Sequence, residues 1–349
     1  MRTRAVRGFI VSCLVALLGL MVSSVVEAVA FNPGDVFAAI GNGQVKHFTP
    51  TGTLVETLDD TTGSVFTAGM CFDSAGNLFV TNFSADSVSK FNNTGGLVNA
   101  NFISGITSAP ESCVIDTAGN IYVGVADGDR DIRKYNAAGT LLAQFDVAPE
   151  SRGSDWIDLA ADQCTMFYTS EGSTIKRYDV CTNTQLADFA SGLTGPIFAF
   201  RILPDGGVLV AETSQVQRLN SSGAVVSTYT DPGGTTLFAL NRDPNGTQFW
   251  TGDLANGNIF RFNISPSAPP VSQFNAGILT ALGGLAIFGE LVVAQPTPTP
   301  TTGVPPTNTP TLIPTAGAAP SDIPTLSFPM MALLGLALVG SGFFMIRRL

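Results

Sequence analysis

One pattern of apolar and polar positions recurs between residues 34 and 293. Its clearest element is a four-residue segment with an apolar first position, a basic third position and an aromatic or apolar last position. The six copies occupy residues 45–48, 88–91, 132–135, 175–178, 216–219 and 259–262. Their last residues follow one another at intervals of 43, 44, 43, 41 and 43 residues. A repeat of about 40 to 45 residues that contains several strands is typical of the blades of a β-propeller.

The surroundings of each segment predict four antiparallel strands per repeat. Upstream lies a turn such as 73–77, in which Asp73 can accept local backbone hydrogen bonds and Gly76 supplies a positive φ. A buried strand follows this turn, and a second glycine turn leads to a fourth strand, as at 139–142. The first repeat lacks its innermost strand, whereas residues 283–287 form an innermost strand that no repeat follows. We therefore predict an all-β, six-bladed propeller that is closed by pairing of its N- and C-terminal strands.

One repeat resembles an NHL repeat and the related repeats of regucalcin/gluconolactonase and streptogramin-lyase propellers. It occupies residues 69–82 and reads Gly-Met-Cys-Phe-Asp-Ser-Ala-Gly-Asn-Leu-Phe-Val-Thr-Asn. The resemblance covers residues 34–293 and implies the six-bladed fold, which hosts many functions. In enzymes of the regucalcin/gluconolactonase type, Glu, Asp and Asn hold a divalent metal near the ring axis. The streptogramin lyases rely on histidine. Here the single histidine, His47, falls in the column of basic residues, where we expect an exposed polar side chain, so lyase activity is disfavoured.

The first thirty residues predict a signal peptide. Three arginines precede an apolar run at 9–22, and Ala28-Val29-Ala30 has the pattern of a cleavage site. An uncleaved N-terminal anchor is the alternative. The signal peptide would direct export across the inner membrane, and its cleavage would leave residues 31–295 as the propeller domain.

The C-terminal region predicts a spacer and a membrane helix. Residues 296–322 are rich in Pro and Thr, which favours an extended, solvated and disordered linker. Residues 328–346 are apolar and uncharged, and nineteen helical residues span about 28 Å, enough to cross a bilayer core of about 30 Å. Arg347 and Arg348 follow and belong on the cytoplasmic side. A buried core helix is the alternative.

The tail also resembles a family signal. Within residues 323–349, the motif Ile323, Pro324, Thr325, Leu326 and the terminal Arg pair are similar to the IPTL-CTERM sorting signal of Gram-negative bacteria. Residues 328–330 read Phe-Pro-Met, where members of that family usually carry an acidic or aromatic pair. The resemblance implies a Gram-negative host and a sorting enzyme as a partner. It also implies either a membrane-anchored protein or, after processing, one at the cell surface or outside the cell.

The charge balance excludes one class of partner. The chain has 17 Lys and Arg against 27 Asp and Glu. Removal of residues 1–30 takes away three Arg and one Glu, which leaves 14 against 26 and a formal charge of −12. Binding to nucleic acid depends on neutralising phosphates with basic residues, so we expect no nucleic-acid partner.

The cysteines predict disulfides rather than thiol chemistry. Cys13 lies in the predicted signal peptide, and the other four are an even number in an exported chain. Cys164 and Cys181 fall in two turns at the same end of the fourth blade, so we predict a disulfide between them. Cys71 and Cys113 lie on the innermost strands of neighbouring blades but one residue out of register, which makes a second disulfide the weaker prediction. Metal binding is the alternative, but neither pair has Cys-x-x-Cys spacing.

Acidic residues are the remaining candidates for chemistry. The loops that link successive blades and those between the second and third strands of each blade open on the same face of the disc, which we call the upper face. On it we expect Glu111, Asp127, Asp129, Asp131, Asp155, Trp156, Asp158, Glu171, Glu212 and Asp253. If these carboxylates converge, they could bind Ca²⁺ or another divalent metal. We predict no cofactor beyond this alternative and assign no catalytic residue.

Two segments of that face have competing interpretations. Residues 127–131 carry acids at alternate positions like the start of an EF-hand loop, but Ile132 and Ala138 replace its Gly and closing Glu. A solvated hairpin tip is therefore favoured. Trp156, flanked by acids, suits either ligand contact or core packing, and core packing is favoured.

The sequence thus favours a surface-displayed binding or interaction module, and enzymatic activity is left open. Its ligand could be a protein, a glycan or a small molecule. The alternative is a metal-dependent hydrolase similar to regucalcin and gluconolactonase, which requires the acids to meet at one point near the ring axis.

Overall fold

The computed structural model describes residues 29–230, 232–233 and 235–290. They form six four-stranded antiparallel sheets, one for each sequence repeat. The innermost strands contact one another in sequence around a closed ring. The one helix among the described residues is a 3₁₀ turn at Phe83–Ala85. The prediction of an all-β, six-bladed propeller is confirmed.

Each blade has four strands, which follow one another from the ring axis outward. Blade 1 contains Gly284–Ile287, Val36–Gly41, Gln44–Phe48 and Leu54–Asp59; blade 2 contains Thr67–Phe72, Leu78–Asn82, Ser87–Phe91 and Leu97–Ile103. Blade 3 contains Pro110–Ile115, Ile121–Val125, Ile132–Tyr135 and Leu141–Phe145; blade 4 contains Ile157–Leu159, Thr165–Tyr168, Lys176–Asp179 and Thr184–Gln185. Blade 5 contains Ile197–Ile202, Val208–Glu212, Gln215–Leu219 and Val225–Thr230; blade 6 contains Leu237–Arg242, Gln248–Asp253, Asn258–Asn263 and Ser272–Asn275.

The ring closes in blade 1, as the repeat pattern predicts. The innermost strand, from the C-terminal end of the domain, pairs with the second strand, and Gly284 lies opposite Ala39. This pairing joins the first and last parts of the propeller and covers edges that would otherwise stay open. A Cβ atom on Gly284 would lie 2.2 Å from the Ala68 carbonyl oxygen, so glycine allows the inner strands of blades 1 and 2 to approach closely.

Both predicted disulfides are formed. Cys164 and Cys181 join two turns of blade 4, with their Cα atoms 5.2 Å apart. Cys71 and Cys113 join the innermost strands of blades 2 and 3 across a Cα separation of 5.7 Å. The difference of one residue in register is therefore no obstacle. Two disulfides indicate an oxidising or extracellular environment.

The face opposite the upper face, which we call the lower face, is formed by the turns between first and second strands and between third and fourth strands. It carries a repeated set of contacts. In blade 3, the Lys134 ammonium lies 3.4 Å from Asp116 and 4.9 Å from the centre of the Tyr122 ring. In blade 6, Arg261 lies 2.7 Å from Asp243 and 5.1 Å from the Trp250 ring. The basic residue and the ring are cross-strand neighbours, so the register of the blade sets this contact.

His47 occupies the same column in blade 1, but our expectation that it is exposed is wrong. The side chain is fully buried, stacks on Phe37 at a ring separation of 4.4 Å and meets the edge of Phe31. Its ring nitrogens lie 2.9 Å from Asp35 and 3.1 Å from Glu56. The imidazole is shorter than the Lys and Arg side chains of the other blades, so the N-terminal segment closes over it.

Several predictions fall on residues outside this description. They are the signal peptide up to residue 28, the Pro/Thr-rich linker, and the tail with its membrane helix and sorting motif. In the described part of the chain, no helix is long and apolar enough to cross a membrane.

Candidate functional site: the upper face

Aromatic side chains close the ring axis near the upper face. Phe238 of blade 6 lies at the centre of this group, with ring separations of 5.7 Å to Trp156, 5.1 Å to Phe198 and 5.9 Å to Phe66. Trp156 is 2% exposed, and a Cβ atom on Gly69 of blade 2 would lie 3.4 Å from its ring. Trp156 therefore reaches across the axis from blade 4 and packs in the core. The four rings, called the aromatic plug below, come from blades 2, 4, 5 and 6.

β-Bulges help to position the residues around this plug. The innermost strands of blades 2, 3, 5 and 6 each shift register near their upper ends. In blade 6 the extra residue is Phe238 of the plug, and in blade 3 it is Glu111. A bulge leaves its extra residue outside the regular alternation and so redirects that side chain. The repeat alone does not determine where these two side chains point.

Glu111 and Asp155 form a buried acidic pair at the upper ends of the innermost strands of blades 3 and 4. Their exposures are 1% and 0%. Neither Asp155 oxygen, nor Oε2 of Glu111, has a hydrogen-bond partner among the described residues. Burial is the main cause that raises the pKa of Glu111 to about 8 and that of Asp155 to about 10, and their mutual repulsion contributes to the shift of Asp155. Burial therefore favours the protonated form of both carboxyl groups.

Arg152 is the cation of this region. Its guanidinium lies 2.6 Å from Asp127 and 3.3 Å from Glu171, and it stands over the ring of Phe83 at 5.3 Å. The same guanidinium lowers the pKa values of the buried pair and so partly offsets the effect of burial. Four carboxyl groups, those of residues 111, 127, 155 and 171, thus surround a single positive charge.

Other predicted site residues on the upper face have separate partners. Asp129 accepts hydrogen bonds from Arg133 and Thr107, whereas Asp131 accepts one from Gln144 at 2.6 Å. Gln144 also donates to Asp129 at 3.2 Å, so Asp129 and Asp131 share this donor, whereas Asp127 binds Arg152. Among the described residues, the three acids are not close enough together to share one ion.

Three further acids lie away from the buried pair. Glu212 accepts a hydrogen bond from Gln215, and Asp253 accepts several from residues 235–236 and 255–256 of adjoining loops. Asp158 accepts a hydrogen bond from the Ile202 amide and lies near Arg201 and Glu290 at the lower ends of the inner strands. Its expected place on the upper face is therefore wrong. Burial raises the pKa of Asp158 to about 6, and Arg201 acts against this rise.

The predicted acids of the upper face do not form a group of three ligand atoms close enough to share one ion, among the described residues. Among the described residues, the one group of three potential ligand atoms close enough to share an ion is Cys164, Asp179 and Cys181, and its cysteines are joined in a disulfide. At the buried pair, the neighbouring charge is the Arg152 guanidinium. The aromatic plug also fills the axis where the resemblance to gluconolactonases places the metal.

A shallow pocket lies beside Arg152, between blades 4 and 5. Its volume is about 510 Å³, and it is lined by Glu150, Glu171 and small or uncharged residues at 151, 172–173 and 195–196. Both oxygens of Glu150 accept hydrogen bonds from Thr174, at 3.1 and 2.9 Å. Sequence reasoning missed Glu150 and Arg152, although both lie in the loop that leads to Asp155.

Comparisons with known proteins support the fold and go no further. No family model matches the sequence, and no curated protein matches it. A chain in the crystal structure of a nidogen/laminin complex is similar, with a TM-score of 0.62 at 16% identity over 74% of this chain and 99% of that one. The WD40 β-propeller domain of Doa1 is also similar, with a TM-score of 0.55 at 12% identity over 73% of this chain and 83% of that one. At these identities, the likeness identifies a β-propeller and not a family.

Proposed function

We propose that this chain is a binding module, in which a non-catalytic propeller is exported and displayed by its C-terminal tail. The observation that carries the proposal is the aromatic plug. It fills the ring axis with packed side chains, so that the upper face offers a surface rather than an enclosed reaction chamber. Large, rigid surfaces of this kind suit protein interactions, and the propeller in the nidogen/laminin complex belongs to a protein assembly.

The metal-dependent hydrolase is not favoured. It needs several carboxylate oxygens within about 2.3–2.6 Å of one ion. The acids at the upper ends of the inner strands are instead a buried pair, Glu111 and Asp155, whose pKa values are raised by burial and which lies beside the Arg152 guanidinium. The resemblance to NHL and regucalcin/gluconolactonase repeats then reflects a shared architecture without the shared metal chemistry.

Export and display are the finer part of the proposal. The two disulfides fit an oxidising compartment. The signal peptide, the Pro/Thr-rich linker and the IPTL-like tail of residues 323–349 support secretion in a Gram-negative bacterium, followed by anchoring or sorting. The sorting enzyme and the membrane are the partners that the tail would meet.

The test uses the full chain expressed in a Gram-negative host. Intact mass analysis should find a new N-terminus near Phe31 and two disulfides, in a protein recovered from the membrane or from outside the cell. The purified protein should leave gluconolactone unchanged with Ca²⁺ or Mn²⁺, and a chelator should not alter its melting temperature. Metal-dependent lactone hydrolysis would contradict the binding module, and retention in the cytoplasm with an intact N-terminus would contradict export.

A further inference from the structure

The segment that precedes the first strand of blade 1 inserts an aromatic side chain into the lower part of the propeller. We define the Phe31 socket by the four rings that surround this side chain, those of Phe37, His47, Phe72 and Phe288. We propose that the socket holds the mature N-terminal residue and forms only when the ring closes, so that the export signal must be removed first. This inference rests on the proposed export and adds an order of events to it.

The boundary between exposed and buried chain falls at the predicted cleavage site. Val29 is 39% exposed and Ala30 is also exposed, whereas Phe31 is 7% exposed. The four ring centres of the socket lie between 4.6 and 6.1 Å from the Phe31 ring, all in edge-to-face arrangements. Aromatic pairs with this geometry attract one another beyond the effect of the area that they bury. The residue that cleavage would place first is therefore the first residue that the fold holds in place.

Both polar groups of the peptide bond between Ala30 and Phe31 are hydrogen-bonded. The Ala30 carbonyl accepts a hydrogen bond from the Asn32 side chain at 3.1 Å, and the Phe31 amide donates one to the Asn93 carbonyl at 3.2 Å. The Asn32 amide donates in turn to Asp35 at 2.7 Å. Burial and hydrogen bonding of the backbone decide whether a protease can cut it, and a protected bond is cut only after local opening. The folded propeller therefore protects this bond.

The rings of the socket come from distant parts of the chain. Phe37 and His47 belong to blade 1, and Phe72 ends the innermost strand of blade 2. Phe288 follows the closing strand, Gly284–Ile287. The socket is thus incomplete until the closing strand has paired in blade 1. Before that pairing, the cleavage site lacks this protection, so ring closure ends the period in which the site can be cut.

Cleavage leaves the socket contacts in place. The new ammonium group of Phe31 keeps a donor for the Asn93 carbonyl, and a charged donor makes a stronger hydrogen bond than a neutral amide. The hydrogen bond that cleavage removes is the one from Asn32 to Ala30, which is exposed to solvent. The socket therefore suits a chain end at Phe31 at least as well as a continuous chain.

The experiment measures cleavage of the bond between Ala30 and Phe31 in the full-length chain by a purified signal peptidase in detergent. One sample is the folded chain with both disulfides. The other is the same chain, reduced, unfolded in urea and diluted just before the reaction. The folded chain should be cut about 10- to 100-fold more slowly, because burial of a Phe side chain favours the closed socket by about that factor. Mass spectrometry detects the new N-terminus.

Substitutions separate the socket from the stability of the whole domain. Phe288→Ala and Phe72→Ala open the socket from two sides, and each should accelerate cleavage of the folded chain at least about fivefold. Phe288→Leu should give a smaller acceleration, of at least about twofold, and keeps the test valid if the Ala variants do not fold. The matched control is Phe145→Ala in blade 3, which removes a ring that is 5% exposed and packs against Tyr122 outside the socket. It should change the rate less than about twofold.

Equal cleavage of the folded and unfolded chains would overturn the proposal, because the socket would then give the bond no protection. An acceleration by Phe145→Ala as large as that by Phe288→Ala would also overturn it, since the bond would then respond to the stability of the whole domain. Neither result affects the proposed binding module or its export. No cleavage of the unfolded chain would instead refute the predicted export signal on which the proposal rests.

Discussion

The two faces of this propeller are built by the same repeat and use charge in opposite ways. On the lower face an acid pairs with one base, and the base often lies over an aromatic ring, as in Asp116, Lys134 and Tyr122. On the upper face four carboxyl groups share Arg152. Two of them are buried, and both oxygens of Asp155 and Oε2 of Glu111 have no hydrogen-bond partner among the described residues. The ion pairs of the lower face thus stabilise the fold, whereas the buried carboxyl groups of Glu111 and Asp155 on the upper face destabilise it. Such a local cost is typical of binding sites.

The disulfides follow the same division. Cys164 and Cys181 join two turns of the lower face, and Cys71 lies toward the lower end of its strand. Since covalent and ionic contacts hold the lower part of the disc, the loops of the upper face can differ from blade to blade without loss of the fold.

The largest expected effect concerns the aromatic plug, which makes the upper axis part of the core. Trp156→Ala should lower the free energy of unfolding by about 3–5 kcal/mol, the usual cost of removing a buried Trp. Urea denaturation measures this, with Trp156→Phe as a milder control. A loss below about 1 kcal/mol, the range of surface substitutions, would mean that the ring contributes little to the core and would reopen the axis as a ligand site.

The second-largest expected loss of stability concerns the two disulfides. In the chain-entropy model, the Cys71–Cys113 bond closes a 42-residue separation and the Cys164–Cys181 bond a 17-residue one. The double Ser variants should then lose about 4 and about 3 kcal/mol respectively. Thermal and urea unfolding of the two variants give the comparison. A larger loss for the Cys164–Cys181 variant would show that this disulfide stabilises the protein more than the one between blades 2 and 3.

The buried acids should give the upper face its own pH dependence. Because the pKa values of Asp155 and Glu111 are raised on folding, the native protein binds more protons than the unfolded chain above about pH 4. Their contribution to stability is complete below that pH and is lost as the pH rises toward 8 and above. Asp155→Asn removes one such group, so at pH 8 it should stabilise the protein by at least about 1.4 kcal/mol, the equivalent of one pKa unit.

The measurement for Asp155→Asn is a series of urea melts between pH 5 and pH 8.5. The variant should lose less stability than the wild type across this range. An equal slope for both proteins would show that Asp155 is ionised in the native state, and the description of the buried pair would then be wrong.

The smallest effect distinguishes the basic residues of the two faces. Arg261→Gln leaves Asp243, which is 3% exposed, without its cation and should cost about 1–2 kcal/mol. Arg130→Gln, at an exposed position of the upper face, should change stability by less than about 0.5 kcal/mol. Equal losses in chemical denaturation would remove the proposed difference between the faces.

The fold could be predicted from the sequence because the period, the turn residues and the unpaired terminal strand all point to the same ring. The disulfides followed from positions within the repeat. The side chains near the axis could not be predicted in this way. Glu111 is redirected by a bulge, and Asp158 lies within its strand and accepts a hydrogen bond from Ile202 of the next blade. A list of acids from the sequence therefore does not show which of them meet.

His47 and Arg152 show the same limit for single residues. The repeat assigned His47 to the correct column, but its burial depends on Phe31, which lies before the first repeat. Arg152 belongs to a loop without a repeated pattern, and its contacts with Asp127 and Phe83 join parts of three blades. These contacts between blades therefore could not be predicted from the sequence repeat.

Zero-length cross-linking tests the central claim, that the upper face is the binding surface, most directly. A hexa-lysine peptide would be joined by a carbodiimide to the carboxylates of the full chain, and mass spectrometry would locate the links. We predict that they concentrate on Glu150 and Glu171 of the upper face and that excess hexa-arginine suppresses them. Links spread equally over Asp73, Asp116 and Asp205 of the lower face would contradict the account.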